Sequence, residues 1–369
     1  MDDSTIPPAG AIAAGGHAFQ GGRGALSNPK PRFLQRDVER VDDGWYQEEI
    51  APSIATQVRP EPARSIITHN DSPDIPFEQS INPYRGCEHG CVYCYARPSH
   101  AYLDLSPGID FETRIFYKAD AARLLEAELA RPSYVVKPIT IGANTDPYQP
   151  IERDLRVTRA LLEVLERTRH PVSLISKGTM ILRDLDLLRS LSRDGLVNVF
   201  ISVTTLEAQL KRTLEPRAAS PTARLRVVRE LAAAGIPTGV LVAPIIPAVN
   251  DCELERIVDA AAAAGAFRVG YVLLRLPHEL KVLFRRWLEE HLPERAGHVM
   301  ALIRAAREGR ENDPRFGSRM RGSGPWAQLL HDRFTLACRR HGLSMGRERE
   351  LSCAHFKPPR LGGQMDLGL

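Results

Sequence analysis

Three of the six cysteines in this chain fall within eight residues, as Cys87-Glu-His-Gly-Cys91-Val-Tyr-Cys94. Six cysteines in 369 residues do not make a disulfide scaffold, and crowding of this kind points to a metal site in a reducing compartment. Iron–sulfur clusters are held by cysteine thiolates, usually four. Three thiolates on a short loop would hold three corners of a cubane and leave one iron open, as catalytic metal sites are open where structural ones are closed. Structural zinc is the alternative. It would need further ligands, for which the chain offers His89 in the loop and Cys338, Cys353 and His355 far downstream.

The elements that position these residues can be read from periodicity. Short β-branched runs occur at Gln79 to Asn82, Ile139 to Ile141, Val172 to Ser176, Val197 to Val203, Thr238 to Ala243 and Phe267 to Leu274. Amphipathic stretches alternate with them. Val157, Ala160, Leu161, Val164 and Leu165 follow one helix face, and Leu254, Ile257, Val258 and Ala261 repeat the pattern. Ser220 before Pro221 marks one helix start, and Asn250 three residues ahead of Glu253 marks another as a capping pair. After the first strand the spacing is that of βα units, so the sequence predicts an α/β fold, an incomplete (β/α)6 TIM-like barrel. In such barrels the loops leaving the C-terminal strand ends build the site. Those ends carry the cysteine cluster, Asn144-Thr145-Asp146, Ser176-Lys177, Ser202-Val203-Thr204, Ala243-Pro244 and Arg275.

Three segments are expected. Residues 1–65 are Gly- and Pro-rich without an apolar period and read as a flexible N-terminal extension, within which Gly22-Arg23-Gly24 through Pro31-Arg32-Phe33 could dock as a short segment. Residues 66–290 form the partial barrel. Residues 291–369 form a basic, helical C-terminal region expected to cover the barrel mouth, with helical runs at Ala296 to Glu308 and Trp326 to Arg340.

Composition sets the outer bounds. With 43% hydrophobic, 25% charged and 6% aromatic residues the chain is globular, which excludes fibrous and wholly disordered classes. The net charge of +4 names no partner, but between Pro277 and Leu361 there are 17 Lys and Arg against 10 Asp and Glu. The start carries Asp2 and Asp3 where a secretory signal has positive charge. The longest uncharged stretch, Leu231 to Val249, is broken by Pro237, Pro244 and Pro247. A cytoplasmic location without a membrane partner is the expectation.

The C-x3-C-x2-C cluster, with Tyr93 just before its third cysteine and a first barrel strand just before its first, resembles the radical S-adenosylmethionine (SAM) superfamily. The text from Ser80-Ile-Asn-Pro-Tyr-Arg-Gly-Cys87 through Cys94-Tyr95-Ala96-Arg97 is similar to the branch related to spore photoproduct lyase and its bacterial relatives. The resemblance spans roughly residues 66 to 290, with Arg275-Leu-Pro and Arg319-Met-Arg-Gly322 extending it. It implies a 4Fe-4S cluster on Cys87, Cys91 and Cys94 whose fourth iron is chelated by S-adenosyl-L-methionine. One-electron reduction from a flavodoxin- or ferredoxin-type partner then gives a 5′-deoxyadenosyl radical that abstracts hydrogen from a substrate.

Further roles follow from the same resemblance. Asp146 stands where superfamily members carry Gly-Gly-Glu and would accept from the methionine ammonium. Lys177 matches a lysine aimed at the methionine carboxylate, Ser202 contacts the same moiety, and the Ala243 backbone meets the adenine edge. Tyr93 packs near adenine, while Tyr93 and Tyr95 flank Cys94 as two tyrosines do in the lyase, where they are thought to relay a radical. Arg217 and Arg224 are further carboxylate candidates. Asn144 stands where the lyase has the cysteine that returns a hydrogen atom to its product, so reversal of the thymine photoproduct is not expected. The relation to a DNA repair enzyme and the basic segment with Arg315, Arg319, Arg321, Arg339 and Arg340 make nucleic acid a candidate partner. The alternatives are an electron-transfer or scaffold protein that binds the cluster without cleaving SAM, and a nucleic-acid-binding module with a structural cluster.

Overall fold

A computed structural model describes residues 22–34, 55–344 and 351–360. Its strands, in chain order, are β1 (Gln57–Pro60), β2 (Ile67–His69), β3 (Gln79–Ile81), β4 (Tyr84–Arg85), β5 (Arg114–Tyr117), β6 (Ile139–Ile141), β7 (Val172–Ser176), β8 (Val197–Ser202), β9 (Thr238–Ile245) and β10 (Arg268–Leu273). Seven of them form one sheet in the order β10-β9-β8-β7-β6-β3-β2. The pairs from β3 to β10 are all parallel, and β2 adds antiparallel to the edge of β3. These six parallel strands are the six read from the sequence. The sheet stays open, since β3 and β10 do not pair, so the fold is the partial barrel expected.

The strands are buried because helices cover their outer face. The helix Val157–Arg167 turns Val157, Leu161, Leu162, Val164 and Leu165 inward, onto a core that includes Ile139, Ile141, Val172, Leu174, Val197 and Val199. Ser220 caps the helix Pro221–Ala233, its hydroxyl accepting from Ala223 N at 3.2 Å. Asn250 does not form the expected capping pair with Glu253. Its amide oxygen accepts from Ile246 N at 2.6 Å and its nitrogen donates to Thr204 O and Pro244 O, so it pins the β9 loop to the β8 loop. Glu253 instead accepts from Thr205 Oγ1 and Leu206 N. A local capping signal is overridden here by two long-range loops that need satisfied backbone groups.

The segment boundaries differ from the sequence reading in three places. Within the N-terminal stretch, β1 pairs with β5 in a small sheet β1-β5-β4, and residues 22–34 lie docked against the cysteine loop. Residues 1–21 and 35–54 of the expected flexible extension lie outside the described residues. The 290/291 boundary falls in a helical hairpin, Leu280–His291 and Pro293–Ala305, whose Leu283, Phe284, Trp287 and Met300 share a core with Ala25, Cys91, Val92 and Tyr93. The long helix Gly324–Arg340 packs on the barrel flank, not across its mouth. Arg333 pairs there with Glu255 at 2.7 Å, and the Phe334 and Tyr271 ring centroids are 4.8 Å apart.

Candidate active site

The cysteine loop leaves β3 and β4 and turns back on itself at Gly90, whose φ of +66° is favourable only for glycine. Cys87 and Cys91 are buried and Cys94 half-buried, all as free thiols. The loop is tied down at every residue. Cys87 N donates to Phe111 O (2.9 Å), Val92 N to Leu214 O (3.0 Å), Cys94 N to Cys91 O (3.2 Å), and the buried Arg97 gives Nε to Cys91 O (2.8 Å). Glu88 points the other way, where it accepts from Thr56 Oγ1, Ile151 N and Arg217.

Burial pushes the Cys91 thiol up to about 12 and Cys87 well above its ordinary value, and neighbouring thiolates add to the rise at both. Three sulfurs in electrostatic range of one another, in a site that resists their ionisation, are stable as thiolates only with a cation present. Among the described residues no three His, Cys, Asp or Glu side chains converge as ligands of a single ion would. Three cysteine thiols on one short loop are the donor type that an iron–sulfur cluster takes. Of the further zinc ligands offered by the sequence only His89 lies at the loop, facing Asp146. Cys338 is buried in the helix Gly324–Arg340, and the segment holding Cys353 and His355 packs at the opposite end of the sheet. There Phe356 meets His170 edge-on, and Lys357 N donates to Thr168 O, ahead of β7.

The strand ends bring most of the predicted residues to this loop. Lys177, just past β7, holds its ammonium 5.9 Å from the Tyr93 ring centroid. Burial works against its charge, but Cys91 and Glu215 raise its pKa above the ordinary lysine value. No carboxylate lies within ion-pair distance of it among the described residues.

Asp146 is more committed than expected. Its carboxylate accepts from Ser176 Oγ (2.7 Å), Lys177 N (2.7 Å) and Tyr148 N (2.9 Å). His89 Nδ1 lies 3.2 Å away but misaligned for a hydrogen bond, an electrostatic contact only. Burial would raise the Asp146 pKa, yet His89 and these donors hold it at about 2. Its geometry is that of a clamp between the β6 and β7 ends.

Tyr93 is fixed through its hydroxyl, which bonds Glu215 and lies 3.1 Å from Thr204 Oγ1. Glu215 was not legible in the sequence, where nothing distinguishes it from surface glutamates. Fully buried, it takes Arg224 and Thr204 as well as Tyr93, and despite burial Arg224 and Lys177 keep its pKa at about 2. Arg224 is thereby spent on Glu215 and on Ser202 O (3.1 Å), and Arg217 on Glu88. Neither is left free for a methionine carboxylate. Ser202 is buried at the end of β8, and Ala243 O accepts from Thr204 Oγ1 at 3.0 Å.

Tyr95 and Asn144 form the open side. The Tyr95 hydroxyl donates to Ala143 O, beside the exposed Asn144, whose own N donates to Asn82 Oδ1 at 3.0 Å. Arg275 lies over the Tyr95 ring, 5.5 Å from its centroid.

With this geometry in hand the relatives can be compared. The radical SAM superfamily profile matches residues 81–261. An uncharacterised protein of Mycobacterium tuberculosis is 36% identical over 232 residues, 62% of this chain and 68% of the relative. Another from Methanocaldococcus jannaschii is 27% identical over 214 residues, 58% of this chain and 76% of that protein. Spore photoproduct lyase complexed with dinucleoside spore photoproduct superposes with a TM-score of 0.57 at 17% identity, covering 77% of this chain and 79% of the lyase. That identity shows a shared fold and does not carry the lyase's substrate across. The chain belongs to the radical SAM superfamily and is a radical SAM enzyme. The family uses SAM together with an iron–sulfur cluster, and the cysteine loop is where this chain can hold one. Among the described residues no helix is long and apolar enough to cross a membrane.

Proposed function

We propose that Cys87, Cys91 and Cys94 bind a single 4Fe-4S cluster with one open iron, and that the protein reductively cleaves SAM there to abstract hydrogen from a substrate at the barrel mouth. The observation that carries this reading is the Lys177 ammonium beside the cysteine loop, a cation over the Tyr93 ring with no carboxylate at ion-pair distance among the described residues, placed where an amino-acid carboxylate is to be received. When bound, the cluster and SAM supply one-electron cleavage of the sulfonium and hydrogen abstraction from the substrate.

The chain's own residues bind and orient. Lys177 acts as a point charge for the methionine carboxylate. Asp146 fixes the backbone from which Lys177 extends, so its role is to aim that residue in addition to whatever it offers the ammonium. The Glu215–Arg224–Tyr93 group holds the floor beneath Cys91, and Thr204 and Asn250 hold the β8 and β9 loops where Ser202 and the Ala243 backbone would meet the rest of SAM. Tyr95 and Asn144 face the substrate side.

A flavodoxin- or ferredoxin-type protein is the expected reductant. Support for nucleic acid is weaker than the basic segment suggests. Arg315 pairs with Asp313 and Glu308, and Arg319 with Asp74. Arg339 and Arg340 end a helix whose following turn reaches the start of β10, away from the mouth. The test is anaerobic reconstitution, reduction and addition of SAM. Equal amounts of 5′-deoxyadenosine and methionine support an enzyme, and a cluster-replete protein that forms neither is the electron-transfer or scaffold alternative.

A further inference from the structure

We propose that Arg275 is an oxyanion-binding residue for the substrate, with the Tyr95 ring as its floor; this rests on the proposed placement of the substrate at the barrel mouth. Arg275 lies two residues past β10, on the end of the sheet that carries the cysteine loop, and its guanidinium lies over the ring of the residue next to Cys94. Its Nε is buried and has no acceptor. Among the described residues the one polar contact of its fork is Nη1 to Met320 Sδ at 4.0 Å, and a thioether is a weak acceptor.

The surroundings hold more cations than anions. Asp74 is fully taken by Arg319, at 2.7 and 2.5 Å, with Gly317 N on the same carboxylate. Asp313 is taken by Arg315 and Ser318. The buried Arg307 serves backbone carbonyls, Leu274 O at 2.5 Å and Arg319 O at 3.2 Å, and burial together with Arg275 lowers its pKa to about 10. Arg275, whose own charge is disfavoured first by burial and then by Arg319, bonds neither a carboxylate nor a carbonyl among the described residues. An unmatched, partly buried guanidinium is costly unless something completes it, and its planar fork suits a bidentate carboxylate or phosphate. Phe316, 57% exposed and stacked under Arg319, adds an apolar face on the same rim. An anion held by Arg275 would tether a substrate within reach of the cysteine loop.

The experiment uses the full, cluster-loaded chain and its thermal midpoint in inorganic phosphate, acetate or chloride at equal ionic strength, with SAM cleavage followed in parallel. A saturable rise of about 2–4 °C in phosphate or acetate over chloride is expected. Phosphate alone points to a phosphoryl substrate and acetate alone to a carboxylate. Arg275→Met should remove the rise while leaving the midpoint in chloride at or above wild type, because the contacts it would lose are a ring face and a thioether that a methionine side chain also packs against, and Arg275→Lys should restore only part of it. A chloride midpoint several degrees lower in Arg275→Met marks a structural residue and overturns the inference. So does an anion effect that survives the substitution, or no saturable effect in wild type. A wild type that cleaves SAM but ignores both anions refutes this site alone, whereas one that binds anions and never cleaves SAM refutes the reading it rests on.

Discussion

The cysteine loop and the β10 rim lie on the same end of one sheet, and they treat charge in opposite ways. Around the loop each buried charge but one is matched. Glu112 takes Arg97 and the Gly24 and Ala25 amides, Glu215 takes Arg224, Glu88 takes Arg217, and Asp146 takes three donors. Lys177 is the exception. At the rim, Arg275 and Arg307 have no carboxylate at ion-pair distance among the described residues. A region matched from within is a finished mould whose shape is set before anything binds, and a region left cationic is set to be completed from outside. On the proposed reading the first kind surrounds the cofactor site and the second faces the substrate.

The contrast can be broken most decisively at the ligands. Replacing Cys87, Cys91 or Cys94 by Ala should abolish the broad visible absorbance at about 400 nm and the bound iron after reconstitution. Cys338→Ala and Cys353→Ala should leave both at wild-type levels, since those residues sit away from the loop. An equal loss from the latter pair would end the single-cluster claim.

A smaller but still large effect is expected from unbalancing the mould. Glu215→Gln keeps shape and removes charge, leaving Arg224 buried and unpaired. It should cost about 3–5 kcal/mol in denaturant unfolding, the range for breaking a buried ion pair from one side. A loss under 1 kcal/mol would mean that the pair does not organise the floor. The docked N-terminal segment should respond less. A side chain at Gly24 would overlap the Gly90 carbonyl, so Gly24→Val should cost about 1–3 kcal/mol and expose residues 22–34 to limited proteolysis. Unchanged proteolysis would show that the segment is not held by this contact.

On the substrate side the sharpest expectation is an absence. Asn144 offers no weak bond from which a hydrogen atom could be returned, and Cys252 is exposed beside Asp251, whose carbonyl takes Arg333 of the flank helix. Reduced enzyme given the dinucleotide spore photoproduct and SAM should therefore yield no thymidylyl-thymidine by chromatography. Multiple-turnover repair would contradict this, and its loss in Cys252→Ala would name the thiol. Smallest of all, Phe316→Ala on the open rim should shift stability by no more than about 0.5 kcal/mol.

The sequence displayed its strands and ligands well, for a physical reason. Parallel strands are buried on both faces and so are written as short β-branched runs, as in Val197 to Val203, and thiolate ligands must be close in sequence to share a loop. What it hid were partners brought together by the fold. Glu215 reads as one acid among many until Arg224, Tyr93 and Lys177 converge on it. Arg217 and Arg224 look like free cations until their carboxylates are seen, and Asp146 reads only as a ligand until its donors show that it also clamps the β6 and β7 ends. Residues 22–34 read as part of a flexible extension with docking as the alternative, and the sequence did not say where; they dock because Glu112, far along the chain, accepts two of their amides. The Asn250 capping signal failed for the same reason, a local motif recruited to a distant loop.

The central claim is that three cysteines leave one iron of a single cluster open beside Lys177. Its most direct test is the electron paramagnetic resonance spectrum of the reduced, reconstituted protein before and after SAM is added. The account predicts one four-iron signal whose g-values change on addition of SAM, with Lys177→Ala requiring more SAM to produce the same change. A spectrum that SAM leaves untouched at saturating concentration would mean the cluster has no open position, and would contradict the account.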